Sequence, residues 1–176
     1  TLGLLGPSTG GTVTVRNLLL TGDAAMPVGM ELQAGTWAMD RVTLANVDGG
    51  ATAIARGAAT VAARQAVLSG WGEGIADGSA GCEVIAVGSA GVGTPYVDCA
   101  AFFPEMDQVV AAPFVDGATV DGDFHQASSA GTWDGAGFTI DLALADTGLV
   151  DGGYLEAAEV SGEGDGACDL PNLGAY

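Results

Sequence analysis

The chain of 176 residues lacks lysine and has little positive charge, since four arginines stand against 22 acidic residues and the net charge is −18. A field of this sign repels phosphate backbones and anionic lipid head groups. We therefore expect no binding to nucleic acid. We also expect no membrane insertion, because glycine or aspartate interrupts every apolar stretch within about ten residues, far short of a membrane span.

Histidine and cysteine are scarce as well. His125 is the only histidine, and no two cysteines form a CxxC pair, so the sequence argues against a zinc site. The cysteines Cys82, Cys99 and Cys168 permit one disulfide and one remaining thiol. Cys82 and Cys99 flank a glycine-rich stretch and are the nearer pair in sequence, so a Cys82–Cys99 disulfide is the preferred pairing.

The first half of the chain contains a repeat of 24 residues. Three units in register span 12–35, 36–59 and 60–83, and a fourth opens with VIAV at 84–87 before the register is lost. A constant period of this length predicts a solenoid in which each unit is one coil stacked on its neighbours.

Within each unit the apolar residues alternate, as in a β-strand, and they recur at equivalent positions in the next unit. Stacked parallel strands would place such residues in interior rows about 4.8 Å apart. A third, weaker face is indicated by Met30 and Ile54, with Ile75 out of register. The predicted interior rows are Val13–Trp37–Val61–Ile85, Val15–Met39–Ala63–Val87, Leu18–Val42–Ala66 and Leu20–Leu44–Leu68.

These rows predict an all-β fold, a right-handed parallel β-helix of about three to four 24-residue coils with a loop-rich C-terminal cap. A leucine-rich repeat is the alternative, but the L-x-x-L-x-L-x-x-N pattern is missing.

One outward row carries charge. It consists of Arg16, Asp40 and Arg64, which follow one another at intervals of 24 residues. Alternating charges on neighbouring strands favour the correct register. The same residues could also line a binding groove.

A threonine row formed by Thr12, Thr36 and Thr60 raises the hypothesis of ice binding. That activity needs several regular threonine rows on a flat face, whereas Thr14 is followed by Ala38 in the neighbouring row. Ordinary pairing of threonines across strands accounts for the single row.

The second half contains three phrases, APFVDGATVDGDFHQ at 112–126, IDLALADTG at 140–148 and CDLPNLGAY at 168–176. Together they resemble the closing segment of secreted bacterial right-handed parallel β-helix repeat proteins, which have the pectate-lyase-like superfamily fold. The matching residues are Pro113, Phe114, Val115, Asp116, Gly122, Asp123, Phe124, His125, Asp146, Gly148, Asp169, Gly174, Ala175 and Tyr176.

The resemblance implies coils over 1–92 and a loop-rich extension over 93–176 that folds over the last coil and covers its edge. It also implies an extracellular or cell-surface protein of bacterial origin. It assigns no activity, because this class includes polysaccharide lyases, adhesins and other envelope proteins. His125 lies in the cap phrase and not on a repeat face, which favours a structural role over general-base catalysis.

Acidic loops raise the question of calcium. Asp116, Asp121 and Asp123 lie close together in a glycine-containing loop, and Ca²⁺ takes six to eight oxygen ligands from such loops. The spacing matches neither an EF-hand nor a nonapeptide RTX repeat. A solvated acidic loop and a calcium site at these three aspartates therefore both remain open.

Two classes of function follow. The first is a non-catalytic structural or adhesive module (a surface, stalk or filament subunit) that binds itself or another extracellular protein at its N-terminal coil end. The alternative is a polysaccharide-active lyase or hydrolase, or a carbohydrate-binding β-helix, and Trp71 is the candidate for glycan contact. A lyase would need a lysine or arginine base beside bound calcium, and a hydrolase would need paired carboxylates. The repeat faces show neither, so the sequence favours the non-catalytic module.

Overall fold

The structure, a computed structural model, describes residues 2–5, 10–76, 78–102, 107–110, 114–121, 123–126, 132–133 and 138–139. Throughout the described part the regular secondary structure is β-strand, and the chain forms a parallel β-solenoid of about four turns. The strands are β1 Leu2–Leu5, β2 Thr12–Gly22, β3 Val28–Leu32, β4 Thr36–Arg56, β5 Thr60–Ile75, β6 Cys82–Ala90, β7 Thr94–Tyr96, β8 Ala100–Ala101, β9 Gln108–Val109, β10 Phe114–Asp116, β11 Asp123–Gln126, β12 Thr132–Trp133 and β13 Phe138–Thr139.

Each coil has three faces, and all pairings between coils are parallel. β4 and β5 run through all three faces without a break, whereas the first coil is divided between β2 and β3. The first face consists of 12–16, 36–40, 60–64, 82–85 and 100–101; the second of 18–22, 42–46, 66–69, 87–90 and 108–109; the third of 2–5, 28–32, 52–56, 71–75 and 94–96.

The register confirms the repeat over the first three coils. Thr12 pairs with Thr36 and Thr36 with Thr60, and on the second face Leu20, Leu44 and Leu68 pair in the same way. The interior side chains of these rows are buried in the second and third coils because strands above and below both cover them. Their burial supplies the main driving force for stacking.

The predicted register fails between the third and fourth coils. Val61 pairs with Cys82 and not with Ile85, so this step is 21 residues long. Ile85 instead pairs with Arg64 and lies at the end of the outward charge row. The fourth coil therefore opens at Gly81, the position equivalent to Thr60, three residues before the predicted start.

The three missing residues come from the bend after the second face. Ala45 pairs with Ser69, but Gly50 pairs with Trp71, so the second coil has a longer bend than the third. The shorter bend restores the register of the third face, and Ile75 pairs with Ile54. Ile75 therefore departs from the 24-residue register, as predicted, and the shorter bend makes it the direct partner of Ile54.

One corner of the solenoid uses left-handed backbone conformations in successive coils. Asn17, Arg41, Gln65 and Ala86 all have φ between 51° and 53°. Each lies between the first and second faces, where the chain turns sharply. Left-handed residues other than glycine are uncommon, so their recurrence shows that each coil turns this corner with the same backbone geometry.

The second half differs from the predicted cap in two respects. The boundary predicted at residue 92 falls inside the solenoid, because β7 continues the third face, β8 the first and β9 the second. The described part of the extension also lies along the side. Phe114 packs with Ala45, Val67 and Ala86 on the outside of the second face.

The hairpin of β10 and β11 therefore covers a lateral face of the solenoid. Its turn reaches the first coil, where the hydroxyl of Thr21 donates a hydrogen bond to the carbonyl oxygen of Val120 (3.2 Å). The outward side of the second face is mostly small or apolar, so covering it removes apolar area from water. The predicted packing over the last coil involves residues outside the described ranges and stays a prediction.

Candidate interaction surfaces

The outward charge row lies on the first face as predicted. Asp40 pairs in register with both Arg16 and Arg64. Its Oδ2 lies 3.9 Å from Nε of Arg16 and 3.6 Å from the terminal nitrogen of Arg41, which follows it at the corner. Because the Arg16 side chain is 59% exposed, the energy of this pair is small. The row therefore helps to fix the register of neighbouring strands, and the Arg16 side chain is exposed in the first coil.

Arg56 has a different role, which its sequence position did not reveal. The side chain is buried, and its guanidinium donates to three carbonyl oxygens, those of Ala76 (2.8 Å), Ala80 (2.9 Å) and Val97 (3.3 Å). These acceptors belong to the two coils that follow. Arg56 therefore ties three successive coils together at the corner between the third and first faces, and it satisfies carbonyl groups that the turns leave unpaired.

Tyr96 and Asp107 form a polar pair at the C-terminal end of the stack. The Tyr96 hydroxyl donates to Oδ2 of Asp107 (2.6 Å), and Oδ1 of Asp107 accepts from the backbone N–H of Val87 (2.8 Å). Burial, the hydrogen bond and the charge of Asp107 raise the pKa of Tyr96 to about 12. Tyr96 therefore remains a proton donor at neutral pH and is no nucleophile.

Asp107 takes the place of a strand neighbour. β9 begins at the next residue and pairs with Gly88, so the carboxylate accepts the N–H that the shortened strand leaves open. Beside this pair lies a cavity of about 150 Å³ that is mostly apolar. It is lined by Val87, Ser89, Pro95, Tyr96, Asp107 and Val109.

Both ends of the described stack expose apolar side chains. At the N-terminal end the first-coil residues Val13, Val15, Leu18 and Leu20 are only partly buried. Their partners in the second coil, Trp37, Met39, Val42 and Leu44, are all at most 4% exposed. At the C-terminal end Phe102 is 53% and Val109 85% exposed.

Trp71 does not lie on the surface, so its assignment as a glycan contact is corrected. The side chain is 1% exposed, and its indole N–H donates to the carbonyl oxygen of Leu44 (3.0 Å). The shorter bend of the third coil draws Trp71 onto the third face opposite Gly50. The ring then occupies space left by the absent side chains of Gly29 and Gly50.

The predicted cysteine pair is joined in the structure. Cys82 and Cys99 form a disulfide with a Cα–Cα distance of 4.5 Å. It links the start of the fourth coil to the corner before β8, where the last coil begins. A disulfide at this point restrains the strands that have fewest neighbours. Cys168 lies outside the described residues.

The predicted calcium ligands fall in the β10–β11 hairpin. The Cα atoms of Asp116 and Asp123 are register partners, and Asp121 lies exposed in the intervening turn. Asp116 and Asp123 thus lie in the two strands and only Asp121 in the turn, and calcium binding at these residues stays a prediction. His125 lies in β11. The matching phrases at 140–148 and 168–176 lie outside the described residues.

Within the described part of the chain, no group of three or more histidine, cysteine or acidic residues is arranged to hold a metal ion. The same residues include no helix that could cross a membrane. Comparison with protein-family models, curated proteins and solved structures found no match to this chain.

Sequence reasoning missed Arg56, Tyr96 and Asp107. The partners of Arg56 are backbone carbonyls, which a sequence does not display. Asp107 lies after the repeat has lost register, so no row predicted that it would reach Val87. The available signal was the lone basic residue at the end of a strand, close to a turn with many carbonyl groups.

Proposed function

We propose that this chain is a non-catalytic extracellular module, a surface, stalk or filament subunit, that binds a protein partner through its N-terminal coil end. The observation that carries the proposal is the contrast between the first two coils. The interior row residues of the first coil are partly exposed, whereas the same rows are buried in the second. A partner strand would complete their burial and pair the strand edge.

The roles of the charged side chains support this proposal. Arg56 binds backbone carbonyls, Asp107 binds a backbone N–H and a tyrosine, and Arg16 and Arg41 lie beside Asp40. Each of these groups stabilises the stack, and the pKa of Tyr96 is raised away from the range useful for catalysis at neutral pH. The Cys82–Cys99 disulfide fits an oxidising, extracellular compartment.

The resemblance to secreted bacterial β-helix repeat proteins supports the same setting. A bacterial, secreted member of the pectate-lyase-like superfamily is the proposed identity of the module, and an adhesive or structural role fits a small solenoid without lysine.

A variant at the first-coil edge tests this function in cells that produce the chain. Thr14 is exposed on β2, and proline there removes one backbone donor from the edge. We expect Thr14→Val to remain on the cell surface in antibody labelling of intact cells and Thr14→Pro to be released into the medium. Equal surface retention of the two folded variants would contradict docking through this end.

A second assay tests the absence of catalysis. The purified chain is incubated with acidic and neutral polysaccharides, and new reducing ends are followed over time. We expect no release above the buffer control. Release that grows in proportion to the amount of protein would show that the chain is a polysaccharide-active enzyme.

A further inference from the structure

We propose that the partner at the N-terminal coil end is the C-terminal coil end of a second copy of this chain, so that copies stack head to tail. The inference rests on the function proposed above and names the partner of the same site. It follows from three features of the described solenoid: the geometry of its strand edges, the apolar groups at both ends and the distribution of charge.

The strand edges of two copies match when one copy is moved along the solenoid axis without being turned over. In a parallel solenoid the edge of the last coil and the edge of the first coil point in opposite directions along the axis. A copy moved along that axis therefore offers parallel strands to β2, as β4 does on its other side. A two-fold arrangement of copies would bring like ends together with antiparallel strands. Head-to-tail contact of this kind leaves a new free end each time, and it builds an open stack.

The hydrogen-bond pattern between β2 and β4 shows which backbone groups of β2 point away from β4. Thr36 N–H donates to the carbonyl oxygen of Gly11 (2.7 Å), and Thr60 N–H donates to that of Gly35 (2.8 Å). Since alternate residues of a parallel strand bond to opposite neighbours, Thr12 and Thr14 direct their backbone groups away from β4. These donors and acceptors face the side on which a second copy would stack.

The apolar groups at the two ends are complementary. The N-terminal end offers the partly buried Val13, Val15, Leu18 and Leu20. The C-terminal end offers Val109, which continues the interior row of Leu68 and Ser89, together with the apolar cavity beside Tyr96. Phe102 follows the interior position of Ala101 and exposes its ring on the outward side of the first face. Because both ends have the three-faced outline of the same coil, each can extend the interior rows of the other, which a partner of different cross-section could not do.

The N-terminal end is less acidic than the C-terminal end, since Arg16, Asp23 and Glu31 give residues 12–35 a net charge of −1. Residues 1–22 contain Arg16 and no acidic residue, although the whole chain has a net charge of −18. No arginine follows Arg64, and the last coils present the exposed acids Glu83 and Asp98. Stacking a C-terminal end on the first coil brings acids towards Arg16, whereas two C-terminal ends would repel each other.

Two variants, each blocking one end, test the arrangement. Thr14→Pro removes an edge N–H while leaving the ladder to β4 intact, and Thr14→Val is its matched control because it keeps the donor. Phe102→Gln/Val109→Gln makes the C-terminal end polar without changing net charge. Circular dichroism and thermal melting establish that each variant is folded before its assembly is measured.

Light scattering coupled to size-exclusion chromatography then gives the mass over a dilution series. We expect the wild type and Thr14→Val to form multiples of 17.2 kDa that grow with concentration, and each end-blocked variant alone to be a monomer. An equimolar mixture of the two blocked variants should form a dimer and nothing larger, because it contains one intact pair of ends.

Other outcomes overturn the proposal in different ways. A C-terminal variant that still dimerises alone would indicate contact between two N-terminal ends. A wild type that is monomeric at every concentration would exclude the second copy as the occupant. If Thr14→Pro were then still released from the cell surface while Thr14→Val was retained, the proposed function would stand with a different partner; if both were retained, the two proposals would fail together.

Discussion

The indole of Trp71 lies where two glycines of the preceding coils leave room for it. A Cβ on Gly29 would lie 3.2 Å from the ring, and a Cβ on Gly50 would overlap it. The ring also donates its only hydrogen to the backbone of Leu44. A large buried side chain of this kind contributes strongly to the core, provided that its space is kept open.

Filling that space should destabilise the chain. We expect Gly50→Ala to lower the free energy of unfolding by about 1–3 kcal/mol, because a rigid ring and backbone must move to admit the methyl group. Gly10→Ala is the control, since a Cβ there meets nothing within 4 Å. Chemical denaturation of both variants checks this, and equal midpoints would show that Trp71 does not occupy the position described.

The Tyr96–Asp107 pair predicts a pH dependence with a definite sign. The pKa of Tyr96 is raised to about 12 in the folded state, above its ordinary value of 10.0. Its contribution to stability is therefore fully present below pH 10 and is lost as pH rises towards 12, because the unfolded chain releases the proton first.

Denaturation curves recorded at several alkaline pH values test this dependence. We expect the free energy of unfolding of the wild type to fall more steeply between pH 10 and 12 than that of Tyr96→Phe, which has no phenolic proton to lose. Parallel curves for the two proteins would mean that Tyr96 is not buried against Asp107.

At the scale of elements, the ladder phase makes two positions of the same row respond differently to proline. Thr14 and Ala38 are register partners, but Ala38 directs its N–H towards β2 and Thr14 directs its N–H outward. We expect Ala38→Pro to lower the melting temperature strongly because it removes a ladder hydrogen bond, and Thr14→Pro to lower it little.

Thermal melting of dilute samples makes this comparison without interference from assembly. Two equally large losses would indicate that both N–H groups are bonded within one chain, and the first coil would then have a further strand neighbour.

The repeat allowed much of the stack to be predicted, since equal spacing fixes register wherever the coils have equal length. The rows through Leu44 and the charge row through Asp40 follow from that spacing. The register of the fourth coil could not be predicted from that spacing. A loss of three residues at a bend shifts every later position, and the surrounding glycines align equally well in either register. Trp71 was misplaced for this reason.

The corners and the hairpin could not be predicted for a different reason. Asn favours left-handed backbone, but Arg41 and Gln65 take the same conformation only because the coil geometry imposes it. Phe114 was recognised within a family phrase, yet nothing in that phrase indicates that it packs on the outside of Val67. Such long-range contacts depend on tertiary structure that no local pattern encodes.

At the scale of the whole molecule, net charge sets the conditions for stacking. Copies with a charge of −18 repel each other over the whole length of the solenoid, whereas the favourable contacts of Arg16 concern a few groups at one end. Salt screens the repulsion between copies, since the Debye length falls from about 30 Å at 0.01 M to about 8 Å at 0.15 M. Salt weakens the burial of the apolar ends much less.

We therefore expect the mean mass in solution to rise as ionic strength is increased at fixed protein concentration. Sedimentation velocity at several salt concentrations checks this. Dissociation of the assemblies on adding salt would show that charge contacts, and not the apolar ends, hold the copies together.

The most direct test of the account is electron cryomicroscopy of the wild-type chain at a concentration where it assembles. The account predicts one-coil-wide stacks in which strand layers about 4.8 Å apart continue through the junction between copies. Junctions with two-fold symmetry, or contacts formed through the sides of isolated solenoids, would contradict it.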